Sequence, residues 1–429
     1  MDFKNSGKDK KEHFALVLGE MGLVKSLGEA GIPVFVGSEM KENITIHSRY
    51  ARRRFIFSSY DSGKFIDELC ELGESFKKKP VIFSDDDRAL LNISRNREKL
   101  EEYYLFLYPE KEMVNAVLDK DKFAELSERV GLPVPRSYRV TPKSNFHAVA
   151  SRVTFPCIIK PTQRHFWWGS EFTEKIGDYK KAFKCVDYEE LEEMYQKISQ
   201  INPGVIIQEY IEGDDDRHYS ANLLVDSGGK LLGHYIARKK RIYPIKAGTG
   251  TYVETLANND VLQTCLKVID QLELKGLLNI QFKQDRRTGE YKLLEIHARN
   301  SLWSILGAKA GANLAYYYYR YMVSGLSDEK PVEATPNVKY INLPKDLRAL
   351  RQYQSEGILT FGEWCSSLKG KRVFAVLSVK DPAPTLFLIW YYTTNKMKIP
   401  RVKRIWENQW KSDGPVRSTF FSAKKLFSR

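Results

Sequence analysis

From Leu277 to Arg299 the sequence reads LLNIQFKQDRRTGEYKLLEIHAR. An apolar run, a charged turn containing Gly289 and an apolar return predict a β-hairpin. Successive strand residues point to opposite faces. Glu295, His297 and Arg299 lie at every second position, so they share one face near the end of the returning strand. Three ionisable side chains in line make this hairpin the first candidate site.

The segments around the hairpin alternate helices with antiparallel hairpins. LSERVG closes a helix at Gly131, FPCIIKPT is a short apolar strand ending at Lys160, and YEELEEMYQKISQ is a charged helix. PGVIIQEYIEGDDD runs from a strand into an acidic turn, and YSANLLVDSGGKLLGHYIARKKRIYP is a hairpin turned at Ser227–Gly229. NNDVLQTCLKVIDQLELKG and GAKAGANLAYYYYRYMVSG each predict one helix. Residues 119–327 are therefore an α+β unit. Residues 1–118 differ: FALVLGE, LVKSLGEAG, IPVFVGS and KPVIFSDDDRALLNISRNREKL alternate buried strands with helices, an α/β pattern. Ligands of such sheets sit in the loops after the strands. GEMG is not a GxGxxG fingerprint, so a dinucleotide is not indicated. Residues 328–429 form a third, smaller region. The length of 429 residues suits two or three domains.

Composition narrows the class. With 42% hydrophobic residues the chain can bury substantial cores. Its five cysteines show no CxxC spacing, which argues against a disulfide framework or a zinc site and fits a reducing cytosol. MDFKNSGKDKKE lacks the apolar stretch of a signal peptide, and LFLIWYY is far short of a membrane span. The net charge is +14; from Lys396 to Arg429 ten Lys and Arg face Glu407 and Asp413, so the tail carries +8 of it. Trp406, Trp410, Phe420, Phe421 and Phe427 lie among these charges. Such a mixture suits an anionic surface, whether lipid headgroups, a polyanionic glycan or nucleic acid, and the first of these would set a cytoplasmic protein at the inner face of a membrane. No specific nucleic acid is indicated, and a homodimer is the default symmetric assembly.

The ordered set Lys122, FPCIIKP, VIIQEYIEG and LLEIHAR resembles the ATP-grasp fold of carboxylate–amine ligases, over Ala15 to Gly325. LVLGEMGLVKSLGEAGIPVFVGS and SRYARR look like the preceding domain of ATP-grasp proteins with cell-surface polysaccharide functions. The resemblance implies ATP and Mg²⁺. ATP carries about four negative charges, so its phosphates need cations in low dielectric. Lys160 and Lys122 match those cations, and Gln208, Glu209 and Ile211 lie where the family holds the nucleobase. Asp215 takes the position of the ribose-binding carboxylate, with Asp214 and Asp216 as rivals. Glu295 matches the second metal-binding acid, His297 stands where asparagine is usual, and Gln281 where the first acid is usual. Mg²⁺ prefers hard oxygens at about 2.0–2.1 Å; an imidazole is a poorer partner for it and a better one for softer ions, which makes Mn²⁺ the alternative metal. Otherwise His297 makes only a supporting hydrogen bond.

Arg299 matches the arginine that follows the metal-binding asparagine in the family, whose fork can neutralise a carboxylate or phosphoryl group. Arg241 in KKRIYP is a second candidate, with Arg238 its alternative. IKAGTGTYVET reads as a mobile loop hinged at Gly248 and Gly250 that carries Thr249 over the substrates. Trp167 and Trp168 in RHFWWGSEF suit stacking on a base or sugar, or burial. The implied reaction is amide formation between a carboxylate and an amine through an acyl-phosphate, with an amino acid and an envelope or polysaccharide precursor as substrates. Two alternatives stand beside it: a degenerate nucleotide-binding protein, motivated by Gln281 and His297, and a non-enzymatic adaptor for anionic surfaces.

Overall fold

The computed structural model describes residues 13–141, 143–161, 182–201, 204–246, 248–325 and 330–395. The polar N-terminus, Trp167 with Trp168 and the basic tail from Lys396 lie outside the described residues.

The N-terminal domain is a parallel sheet. Strands β1 (Ala15–Leu18), β2 (Val34–Ser38), β3 (Ala51–Ile56) and β4 (Val81–Ser84) run in the order β3-β2-β1-β4. Every residue of β1, β2 and β4 is buried, as strands covered by helices on both faces require. β3, with sequence ARRRFI, carries no apolar alternation and goes unmarked in the sequence pattern. The helix Asp87–Arg95 starts directly after β4, where the Asp86 carboxylate accepts from the Arg88 and Ala89 amides.

Two antiparallel sheets follow. The smaller holds β5 (Ser137–Val140), β6 (Cys157–Pro161), β7 (Phe183–Cys185) and β8 (Val205–Glu209), ordered β5-β8-β6-β7. Ile159, Val205 and Ile207 are fully buried beneath the helix Tyr188–Ser199. The larger holds β9 (His218–Val225), β10 (Leu231–Tyr243), β11 (Thr249–Leu256), β12 (Gly276–Gln284) and β13 (Tyr291–His297), extended by β14 (Val332–Glu333), β15 (Lys339–Ile341) and β16 (Arg372–Phe374). Its order is β13-β12-β9-β10-β11-β15-β16, with β14 alongside β10. The expected α/β and α+β parts are both present.

Three expectations change. The closing helix is two helices, Ser304–Ala310 and Leu314–Ser324. Gly311 adopts φ 101° between them, and the Asn313 side chain caps the second by accepting from the Tyr316 amide. The segment read as a mobile loop is mostly strand β11, in which Gly250 pairs with Ile242. The region after residue 328 supplies edge strands to the large sheet instead of standing apart: β15 pairs with β11, and β16 with β15. The N-terminal domain also shares a core with this sheet, since Ala15, Val17 and Val34 belong to one cluster with Leu224, Trp303 and Tyr318.

Candidate active site

One face of the large sheet carries a ladder of polar side chains. The register sets Glu295 opposite Gln281 and His297 opposite Asn279; across β9, Gln281 meets Ser220 and Asn279 meets Asn222. The Asn279 amide donates to Ser220 Oγ at 2.6 Å and to Asn222 Oδ1 at 2.9 Å. Gln281 donates to Asn279 Oδ1 at 3.2 Å and accepts from Lys239 Nζ at 2.9 Å. A satisfied buried network of this kind fixes the orientation of each amide. Strand alternation thus brings Glu295, Gln281 and His297 together.

The ladder borders a cleft of about 1590 Å³ whose other wall includes Lys160 on β6 and Gln208 on β8. This exceeds the roughly 300–1,000 Å³ of a single-ligand pocket, so the cleft has room for more than one small molecule. Lys160 Nζ donates to Gln208 Oε1 at 2.9 Å, and Gln208 Nε2 donates to Ser137 Oγ at 2.7 Å. Burial and the charge of Lys120 bring the Lys160 ammonium down to about 8, against the pull of Glu295. Lys239 is also lowered by burial, with Glu295 and Asp215 opposing. His218, beside them, is driven well below its usual range by burial and then by Lys239 and Lys283.

The N-terminal domain closes the cleft with Asp87. Its carboxylate accepts both arms of the Arg299 fork, from Nε and from a terminal nitrogen at 3.0 Å, and lies 3.7 Å from His297 Nδ1. His297 Nε2 stands 3.2 Å from Glu295 Oε2. Burial and Arg299 push the imidazole down, but Asp87 and Glu295 outweigh them and raise it to about 9. Glu295 faces the open cleft with 57% of its side chain exposed; burial among protein atoms raises its carboxyl, yet His297, Lys120 and Lys239 hold it below the usual range. Further out, Glu20, Glu39, Asp85 and Asp86 make one end of the cleft acidic. Burial and the Glu20 charge push the Asp85 carboxyl well up, with Arg299 opposing. Arg88 is paired there with Glu39 at 2.7 Å and Asp86 at 2.8 Å.

The donor set fits a triphosphate. Lys120, Lys160 and Lys239 line one cleft with Glu295 and Gln281. Among the described residues no group of three or more His, Cys, Asp or Glu is arranged to hold a metal ion. A cation at Glu295 and Gln281 would take most of its oxygens from phosphate and water, as Mg²⁺ does at nucleotides.

Other expected positions fall elsewhere. Lys122 is exposed and is not among the described residues lining the cleft; Lys120, two residues earlier, is. Glu209 accepts from the Arg136 amide at 3.2 Å, and Ile211 is buried; neither lines the cleft. Asp215 accepts from the Lys246 amide at 3.0 Å and from the Tyr353 hydroxyl at 2.7 Å, which ties it to the helix Leu343–Ser355. Its rivals Asp214 and Asp216 pair with Arg286 and Arg238. Arg241 is likewise not among the described residues lining the cleft. Its fork is buried against Asp346 at 3.0 and 2.7 Å, and Asp346 also accepts from Trp364 Nε1 and Thr251 Oγ1. The β10–β11 pairing slips between Lys239 and Arg241; Lys239 meets Gln281, and beyond the slip Arg241 meets Asp346. Lys120, Lys239 and Asp87 escaped the sequence reading, although DKDK, KKR and SDDDR each stood beside a chosen residue or on a strand's carboxyl end.

A family profile described as "ATP-grasp in the biosynthetic pathway with Ter operon" matches residues 202–345. The chain is 29% identical to the D-aspartate ligase of Enterococcus faecium over 269 residues, 59% of this chain and 62% of that protein. It is 27% identical to the N-terminal section of the carbamoyl phosphate synthase large chain of Methanopyrus kandleri over 220 residues, 49% of this chain and 36% of the relative. The match therefore spans less than two thirds of either relative. In fold, N5-carboxyaminoimidazole synthetase from Staphylococcus aureus complexed with ADP superposes with TM-score 0.58 at 15% identity, over 81% of this chain and 87% of that one. L-amino acid ligase from Bacillus licheniformis gives 0.54 at 13% identity, over 73% and 75%. The chain carries an ATP-grasp domain.

Proposed function

We propose that the protein is an ATP-dependent ligase joining a carboxylate to an amine. The observation that carries this is the convergence of Lys120, Lys160 and Lys239 on the Glu295–Gln281 pair across one cleft. ATP would supply the phosphoryl group that activates the carboxylate for attack by the amine. The protein's own part is alignment and charge neutralisation. Lys160 and Lys239 hold positive charge in low dielectric, the amide ladder fixes Gln281, and Glu295 would offer a hard oxygen to Mg²⁺; His297, raised to about 9, would join a Mn²⁺ only by giving up its proton. The acidic end at Glu20 and Asp86 suits a substrate ammonium group. The relative named D-aspartate ligase makes D-aspartate the first amine to test, and the polysaccharide-associated N-terminal pattern makes an envelope precursor the first class of carboxylate.

The test has two steps. Thermal unfolding is followed with ATP or ADP, titrated with Mg²⁺ or Mn²⁺; ligand at 100 times its dissociation constant stabilises by about 2.7 kcal/mol. ADP release is then measured with amino acids and candidate carboxylates. A metal-dependent shift followed by amine-dependent ADP release is expected. Absence of any nucleotide shift sinks the reading. A second reading, a nucleotide-binding protein without ligation, draws on Lys239 occupying Gln281 Oε1 and Asp87 occupying Arg299. Replacing Gln281→Glu separates the two: turnover should rise for a weakened ligase and stay nil for a binding protein.

A further inference from the structure

The helix Ala383–Asn395, APTLFLIWYYTTN, contains no charged side chain. Its inner face packs on the protein: the Phe387 ring stacks on His47 with centroids 3.9 Å apart, and Leu388 and Tyr391 line the cleft. Its outer face is apolar and open. Leu386 is 62% exposed, Ile389 56% and Trp390 57%, with the spacing that places residues on one side of a helix. Thr393 and Thr394, both exposed, continue the same stripe. In the segment leading into the helix, Leu377 is 36% exposed and Val379 99%. Single exposed apolar side chains are ordinary, whereas an aligned group on an uncharged helix marks an interaction surface.

The sequence that continues from this helix says what covers it. Lys396 to Arg429 carries ten Lys and Arg against two acids. A second copy docked on the stripe would bring a second such segment to the same place, and like charges would oppose the contact. A surface of acidic headgroups satisfies both features at once, taking the apolar stripe at its acyl boundary and the cations at its phosphates. No described helix is long and apolar enough to cross a membrane, so attachment would be along the surface.

We propose that the outer face of Ala383–Asn395, formed by Leu386, Ile389 and Trp390, docks on an anionic lipid bilayer. Because Leu388 and Tyr391 on the other face border the cleft, docking sets the mouth of the cleft beside the headgroups, within reach of a substrate held at the membrane surface. The docking stands on the helix and the charge alone; failure of nucleotide binding would leave it untouched.

The test is flotation of the full chain with vesicles of phosphatidylcholine, alone or mixed with phosphatidylglycerol. Two variants accompany it: Leu386→Ser, Ile389→Ser and Trp390→Ser together, and a chain ending at Asn395. The parent chain should float with the mixed vesicles, and less so as salt rises. The triple variant should partition about tenfold less or weaker still, because three apolar side chains no longer enter the interface, with an unchanged melting temperature since all three are exposed. The shortened chain should also lose binding. Three results overturn the proposal: no flotation of the parent chain, equal flotation with both vesicle types, or a triple variant that floats like the parent. A triple variant that floats like the parent but changes from dimer to monomer by light scattering assigns the stripe to a second copy.

Discussion

Burial and the charge of Lys120 bring the Lys160 ammonium to about 8, with Glu295 opposing them. Phosphate binding favours its charged form, so nucleotide affinity should be flat below that pH and fall as pH rises through it. The limiting slope is about tenfold per pH unit, the weight of one proton. Calorimetric titration with ATP at several pH values would show it, with Lys160→Gln removing the inflection. The sign for folding is opposite. The unfolded lysine titrates near its ordinary value, so between the two the unfolded chain binds more protons and stability rises with pH. An affinity that does not change across this range would remove Lys160 from the phosphate site. That Glu295 and His297 share one face was legible from strand alternation, whereas Gln281 and Lys160 came into view through the family resemblance. Asp87 was not legible. Its meeting with Arg299 joins residues 212 apart in the chain, and no local pattern reports a contact of that range.

Hairpin β10–β11 shows where element-scale reading stops. Glycines in KAGTG suggest a hinge, but Gly250 is a packing residue. A side chain added there would meet Val253 at 2.7 Å and the Trp303 ring at 2.9 Å. The need for Gly250 is therefore close approach within a sheet, and sequence alone does not separate that from mobility. The same hairpin carries Arg241, whose partner Asp346 is fully buried on the helix Leu343–Ser355. Asp346→Ala leaves the guanidinium buried without its carboxylate, which costs about 3–5 kcal/mol. Denaturant unfolding should show that loss. Nucleotide affinity, measured while the variant remains folded, should match the parent, because the pair stands off the cleft. A variant of normal stability with impaired turnover would return Arg241 to the substrate site.

At the scale of the whole molecule the region after residue 328 acts as part of the scaffold. β15 covers the edge of β11, and β16 covers β15. The Asp381 carboxylate accepts from Ser48 Oγ at 2.5 Å and from the Arg49 amide at 2.9 Å in the N-terminal domain. Lys25, 2% exposed in the first helix, donates to the Phe374 carbonyl at 3.3 Å. Two charged groups far apart in sequence, Lys25 and Arg241, thus donate hydrogen bonds to the last third of the chain. A chain ending at Lys330 would open the β11 edge, leave both cations buried without these partners and expose unpaired strand amides to association. It should aggregate or lose its cooperative unfolding transition. A chain ending at Asn395 keeps every one of these contacts and should unfold at the parent's temperature. Unfolding profiles of the two truncated chains decide between an appended domain and an integral one. Equal, cooperative transitions in both would mean that residues 13–330 hold their fold unaided; the contacts above argue that they do not.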